Sequence, residues 1–178
     1  MMNLTGINSD IRLRRLELDT EIKPFESEDE DLNNFLLNDA KNYLAEKLAV
    51  TYVFESNTET VSYFCLSNDN LRREVDIETW KKINKQVPNR KRKGVYPAVK
   101  IGRLAVTKKY AGNGFGKLML RFVEDMFLSN DQKSGCRFIT VDAYKGAVDF
   151  YLRNGYKFFT EKDNDKNTRI MYFDLKSI

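Results

Sequence analysis

The sequence predicts a mixed α/β fold, a mixed central sheet carrying helices, and three observations predict it. β-Branched and aromatic runs alternate with segments of helical spacing in the order β, α, α, β, β, then βα, βα and ββ. The stretch from Ile101 to Phe127 runs from an apolar strand through a turn with glycines at 112, 114 and 116 into a strongly patterned helix. A chain of 178 residues suffices for one sizeable core and is short for two, so residues 1–178 are expected to form a single domain.

Each element has a local reason. Residues 11 to 18, IRLRRLEL, read as a first strand near an edge, because polar residues occupy much of its length. Ser27-Glu28-Asp29-Glu30 has the spacing of a capping box. Leu32, Phe35, Leu36, Ala40, Tyr43, Leu44 and Leu48 then follow helical spacing, as two short helices bent near Asn38-Asp39. Thr51 to Glu55 and Thr60 to Leu66 flank the turn formers Ser56 to Glu59 and predict a hairpin. Asp76 caps a short helix from Ile77 to Asn84, on which Trp80 is expected to pack rather than stack on a substrate. Pro88 and Gly94 break regular structure before a long strand, Tyr96 to Val106, in which Gly102 marks a bulge or a close approach.

After the glycine turn, Phe115, Leu118, Met119, Phe122, Val123, Met126 and Phe127 form one apolar stripe, with Lys117, Arg121, Glu124 and Asp125 on the wet side. Arg137 to Ala143 predicts another strand. Asn154-Gly155 stops the helix that carries Ala147, Phe150 and Tyr151, and Lys157 to Thr160 and Arg169 to Leu175 predict two closing strands.

Composition narrows the function. No apolar run approaches a membrane span and the N-terminal residues lack the apolar core of a secretory signal, so a cytoplasmic protein is expected. The absence of histidine removes Ser/His and Cys/His nucleophile pairs and the usual zinc sets, so no metal site is expected. Catalysis then falls to backbone dipoles, tyrosine, carboxylates or amines. Cys65 and Cys136 read as two buried structural thiols. The net charge of +4 is unevenly spread: Lys81, Lys82, Lys85, Arg90, Lys91, Arg92 and Lys93 have no acidic residue among them, which suits a polyanion or a solvated loop equally.

A strand, a glycine turn and a helix present unpaired amides and a positive helix end to an anion. The turn lacks the Gly-Lys-Ser/Thr of a P-loop, and Gly112-x-Gly114-x-Gly116 lacks the wider third spacing of the dinucleotide fingerprint. It resembles instead the Arg/Gln-x-x-Gly-x-Gly/Ala signature of the GNAT family of acetyl-CoA-dependent N-acetyltransferases. Gly114 and Gly116 match its two small positions, and Ala111 departs from its Arg or Gln. The run from Ala147 to Tyr156 resembles the family's other landmark, A-x-x-F/L-Y-x-x-x-G-F/Y, with Tyr151 as its tyrosine. GRLAV before the turn and VDA before the tyrosine helix resemble the branch that includes tRNA-acetylating toxins.

The resemblance implies a GNAT fold with a splayed fourth strand, helices on both faces of the sheet, and acetyl-CoA as co-substrate. It implies that the backbone of Leu104, Ala105 and Val106 pairs with the pantetheine arm, and that Ala111, Gly112, Asn113, Gly114, Phe115, Gly116 and Lys117 hold the pyrophosphate. Tyr151 is then the proton donor to the leaving thiolate, and Arg103, Arg90 and Arg92 are candidates to meet the acceptor. No carboxylate lies in the fourth strand, so a water relay or no base at all stays open. An acceptor amine of low pKa, such as the ester-linked aminoacyl group of a charged tRNA, suits a site of that kind. A toxin acting in this way, an acetyltransferase of a small amine or a protein amine, and a non-catalytic GNAT-like binding module remain alternatives. A homodimer and a neutralising antitoxin-type partner also stay open.

Overall fold

The computed structural model describes residues 10–72, 77–85, 94–129, 134–164 and 166–177. The strands are β1 (Arg12–Arg15), β2 (Val50–Glu55), β3 (Thr60–Arg72), β4 (Val95–Val106), β5 (Phe138–Tyr144), β6 (Lys157–Phe158) and β7 (Thr168–Asp174). They form a seven-stranded mixed sheet in the order β1-β2-β3-β4-β5-β7-β6. The helices are α1 (Glu30–Asn34), α2 (Ala40–Ala45), α3 (Ile77–Lys85), α4 (Phe115–Leu128) and α5 (Val148–Arg153). The chain divides into two compact units, Met1–Ser67 with Arg103–Met119 and Asn68–Gly102 with Leu120–Ile178, and β3, β4 and α4 each contribute residues to both.

In the first unit, β1 pairs antiparallel with β2 from Arg12↔Glu55 to Arg15↔Tyr52, and β2 pairs antiparallel with β3. The hairpin turn closes where Ser56 Oγ accepts from the amides of Thr58 and Glu59. Its core gathers Leu16, Phe25, Phe35, Leu36, Ala40, Val53, Tyr63 and Ala105. The expected cap at Ser27 is displaced by two residues. Asp29 is the N-cap, its carboxylate accepting from the Leu32 amide at 3.2 Å, while Ser27 Oγ donates to Asn33 Oδ1 at 2.7 Å. Asp29 outcompetes Ser27 because a carboxylate gains from the helix dipole as well as from the amide.

The expected bend is a π-turn, Phe35–Asp39, between α1 and α2. Past α2 the Leu48 amide reaches the Tyr43 carbonyl and Lys47 stands at φ 58°, which is the geometry of a Schellman stop.

In the second unit, β4 runs parallel to β5 from Ala98↔Phe138 to Ile101↔Val141, and β5 pairs antiparallel with β7 along its whole length. Trp80 packs on Tyr96 with ring centroids 5.0 Å apart, inside a cluster with Ile83, Phe138, Phe159 and Tyr172. Arg137 clamps Asp174 through two hydrogen bonds of 2.6 and 2.8 Å.

Three strand lengths needed adjustment. β1 is four residues rather than eight, β3 extends six residues beyond Leu66, and β6 is only two residues long. The stripe on α4 is also rotated, since Leu120 and Glu124 are buried together with Met119 and Val123. Both cysteines are free; Cys65 is buried, while Cys136 is only half-buried just ahead of β5. No described helix is long and apolar enough to cross a membrane.

Candidate active site

The glycine turn is built by backbone economy. After β4, the residues Lys108–Tyr110 form a 3-10 turn, and the amides of Ala111 and Asn113 donate back to Lys108 and Tyr110 at 3.3 Å. Those two amides are thus spent inside the turn. Gly112 and Gly114 have φ of 78° and 85°, the left-handed region that glycine occupies without strain. A Cβ at either would meet no atom within 4 Å, so the backbone angle selects glycine and the space before the turn is open. Among the described residues, the amides of Gly114, Phe115, Gly116 and Lys117 find no backbone acceptor, as expected where a helix begins.

The phenyl ring of Phe115 is buried and meets Tyr110 edge-on at 5.6 Å, so this residue anchors the turn and offers only its amide. Lys108 and Lys109 are committed to Glu26 and Glu59. Lys117 is exposed and has no ion-pair partner among the described residues, which leaves it as the available cation beside the turn. These features fit a pyrophosphate: successive unspent amides, the positive end of α4 and one open ammonium.

The parallel register of β4 with β5 ends at Ile101↔Val141, one residue before Gly102, although β4 continues to Val106 and β5 to Tyr144. Leu104, Ala105 and Val106 follow that break. Ala105 is buried and its neighbours are half-buried. Arg103 lies over the Phe35 ring at 5.1 Å and faces Asp31 at 3.7 Å, on α1. The other two acceptor candidates, Arg90 and Arg92, lie outside the described residues.

Tyr151 sits on α5 in a chain of rings. Phe150 meets it at 5.1 Å, Tyr156 at 5.3 Å, and Phe173 meets Tyr156 at 5.4 Å. The Tyr151 residue is 6% exposed, and burial pushes its phenol above the ordinary value of 10, so the hydroxyl keeps its proton. Its hydroxyl is not among the side-chain oxygens that are both enclosed and unpartnered. That group includes the Tyr156 hydroxyl and Glu124 Oε1. Glu124 gives its other oxygen to Arg121 at 2.6 Å, yet burial outweighs Arg121 and holds its carboxyl above the usual range.

The helix ends in a second Schellman stop, with the Tyr156 amide donating to the Tyr151 carbonyl and Gly155 at φ 88°. A Cβ on Gly155 would stand 3.1 Å from the Phe173 ring. Sequence reasoning did not place Glu124 and Tyr156 in this cluster, because enclosure is a property of packing; the one available signal was an acidic residue inside a helix rich in apolar ones.

Unspent amides at the start of a helix suit a ligand that carries phosphates, and a buried phenol keeps its proton. A model of the acetyltransferase (GNAT) domain family matches residues 26–176. The chain belongs to that family and is an acetyl-CoA-dependent N-acetyltransferase. A search of the curated proteins finds no match.

Solved structures share the fold. AtaT complexed with acetyl-methionyl-tRNAfMet is 22% identical, with a TM-score of 0.80 over 94% of this chain and 96% of that one. A tyrosine-to-phenylalanine mutant of KacT is 22% identical, with a TM-score of 0.79 over 94% and 96% of the two chains. A mutant of the AtaT toxin bound to acetyl-CoA and to the C-terminus of the antitoxin AtaR is 21% identical, with a TM-score of 0.74 over 94% and 95%.

Proposed function

We propose that this chain, as one catalytic domain over residues 1–178, acetylates the amino group of an aminoacyl-tRNA and thereby blocks translation in the cytoplasm. The observation that carries the site is the break in the β4–β5 register before Gly102, which leads into Leu104, Ala105, Val106 and the unspent amides of Gly114 to Lys117. In this reading the turn grips the pyrophosphate through Gly112, Gly114, Phe115, Gly116 and Lys117. Ala111 and Asn113 shape the turn rather than donate. The backbone of Leu104 to Val106 aligns the pantetheine arm as an added strand would.

Tyr151 then donates a hydrogen bond from its hydroxyl to the departing sulfur, stabilising the charge that develops there, and the thiol takes its proton as that charge collapses. An ester-linked amine suits the chain because its low basicity lowers the demand on any base. The likeness to AtaT, whose complex holds an acetylated methionyl-tRNA, supports this acceptor, as do the exposed Lys81, Lys82 and Lys85 on α3. Lys81 also pairs with Glu78 at 2.8 Å. Arg103 meets the acceptor side with its guanidinium fixed by Phe35 and Asp31. An antitoxin-type partner, like the one AtaT binds, would restrain the activity in the cell.

Mass spectrometry of charged tRNA after incubation with isotopically labelled acetyl-CoA tests the acceptor. Label is expected on the aminoacyl group; a free amine labelled beside untouched tRNA would move the assignment to small substrates.

A further inference from the structure

The glycine turn carries more positive charge in its sequence than it presents. Lys108, Lys109 and Lys117 lie in or beside it, yet the first two are held by carboxylates from other segments. Lys108 Nζ donates to Glu26 Oε1 at 2.6 Å, and the Lys108 amide donates to the Glu26 carbonyl, so the loop ahead of α1 closes on the turn. Lys109 Nζ donates to Glu59 Oε1 on the β2–β3 hairpin, an oxygen that the Tyr110 hydroxyl also approaches at 3.5 Å. The hydrogen bond to Lys108 lowers the Glu26 carboxyl, and the bonds to Glu26 and Glu59 raise the two lysines, so both ammoniums stay charged.

Stability gives no reason for these pairs. The Lys108 and Glu26 side chains are 52% and 73% exposed and that of Lys109 is 64% exposed, and ion pairs so open add little to folding. Their position gives one. Lys109 Nζ stands 5.2 Å from the centre of the Tyr110 ring, and Tyr110 meets Phe115, the first residue of α4, at 5.6 Å. The Lys109 ammonium therefore acts on a ligand at the amides of Gly114 to Lys117 across a distance comparable with the Debye length of about 10 Å. An amide at a helix start selects an acceptor by direction, whereas an ammonium attracts any phosphate in proportion to its charge. A diphosphate esterified at both ends carries less charge than a triphosphate chain, so each free ammonium beside the amides favours the triphosphate.

We infer that Glu26 and Glu59 are specificity-determining residues. By holding Lys108 and Lys109 they leave recognition at the turn to the amides and Lys117, and so favour the diphosphate of the acetyl donor over nucleoside triphosphates. All of these groups lie in the first compact unit. The inference rests on the reading of the turn as the pyrophosphate site and holds whatever amine is acetylated.

The test measures acetyl-CoA affinity by calorimetry, and its displacement by inorganic tripolyphosphate, on three forms of the full chain. These are the wild type, Glu26→Gln with Glu59→Gln, and that double variant with Lys108→Gln and Lys109→Gln added. In the double variant, tripolyphosphate affinity is expected to rise relative to acetyl-CoA affinity by roughly five-fold, with a steeper dependence on salt. Adding the lysine substitutions should return the ratio to its wild-type value, which a loss of structure alone would not do. An unchanged ratio in the double variant would overturn the inference, as would equal weakening of both ligands, a shift that survives removal of the lysines, or tripolyphosphate that competes with no form. Gly114→Asp is measured alongside. If it retains acetyl-CoA, the turn is not the phosphate site and the underlying reading falls as well; if it loses acetyl-CoA while the ratio stays unmoved, the specificity role alone falls.

Discussion

The glycine turn and the ring cluster around Tyr151 handle their polar groups in opposite ways. At the turn, four successive amides from Gly114 to Lys117 have no backbone acceptor among the described residues. Around Tyr151, phenols are wrapped in aromatic rings, and the Tyr156 hydroxyl is enclosed without a hydrogen-bond partner among the described residues. Water can satisfy the amides until an anion replaces it, so their exposure carries no penalty and supports binding. A phenol deprived of water holds its proton more tightly, so enclosure there keeps the hydroxyl in its donor form. One region works by staying available and the other by staying dry.

The largest expected effect breaks the first half of this contrast. Gly114→Asp keeps a residue type that tolerates the left-handed region but sets a negative charge against the phosphates. Like charges about 4 Å apart repel by about 4 kcal/mol at the effective dielectric of a protein surface, so calorimetry should register no acetyl-CoA binding. Retained affinity would mean that the turn faces something else.

Tyr151→Phe acts on the other half, lowering kcat by roughly ten-fold or more while acetyl-CoA affinity holds, as read from steady-state kinetics and calorimetry. Unchanged turnover would take the phenol out of the reaction.

Two smaller effects sharpen the account of enclosure. Because burial holds the Glu124 carboxyl above 4.5, the folded chain keeps a proton there that the unfolded chain releases first. Folding therefore loses support from Glu124 as pH rises from about 4.5 through its raised value, with no further change above that. Glu124→Gln has no such proton to lose, so its melting temperature should vary less with pH across that interval. The smallest effect belongs to Tyr156→Phe, which removes a hydroxyl that has no partner among the described residues. Stability by thermal melting should change by about 1 kcal/mol or less, in either direction.

Local chemistry made much of the fold legible. Helical spacing, hairpin residues and the Asn154-Gly155 stop follow from short-range rules, and α2, the β2–β3 hairpin and the end of α5 formed where those rules put them. What escaped was set by distant partners. β3 runs on through the polar residues Asn68, Asp69 and Asn70, and Asp69 is engaged by Thr140, a contact that spans 71 positions of sequence. Glu124 belonged on the wet side by periodicity alone, and tertiary packing enclosed it.

In the candidate site, the turn was readable because its geometry demands glycine. The loss of the Ala111 and Asn113 amides to internal bonds was not, since it depends on how the preceding 3-10 turn folds.

The hydrogen at the α-carbon of Gly155 is, in effect, the spacer that sets where the phenol sits. A methyl group there would lean on Phe173 at 3.1 Å, Phe173 on Tyr156, and Tyr156 on Tyr151, so the disturbance would travel through three rings. In the proposed mechanism the aim of the phenol is thereby tied to a position outside the site, and adding one carbon there is expected to lower turnover while the acetyl donor still docks.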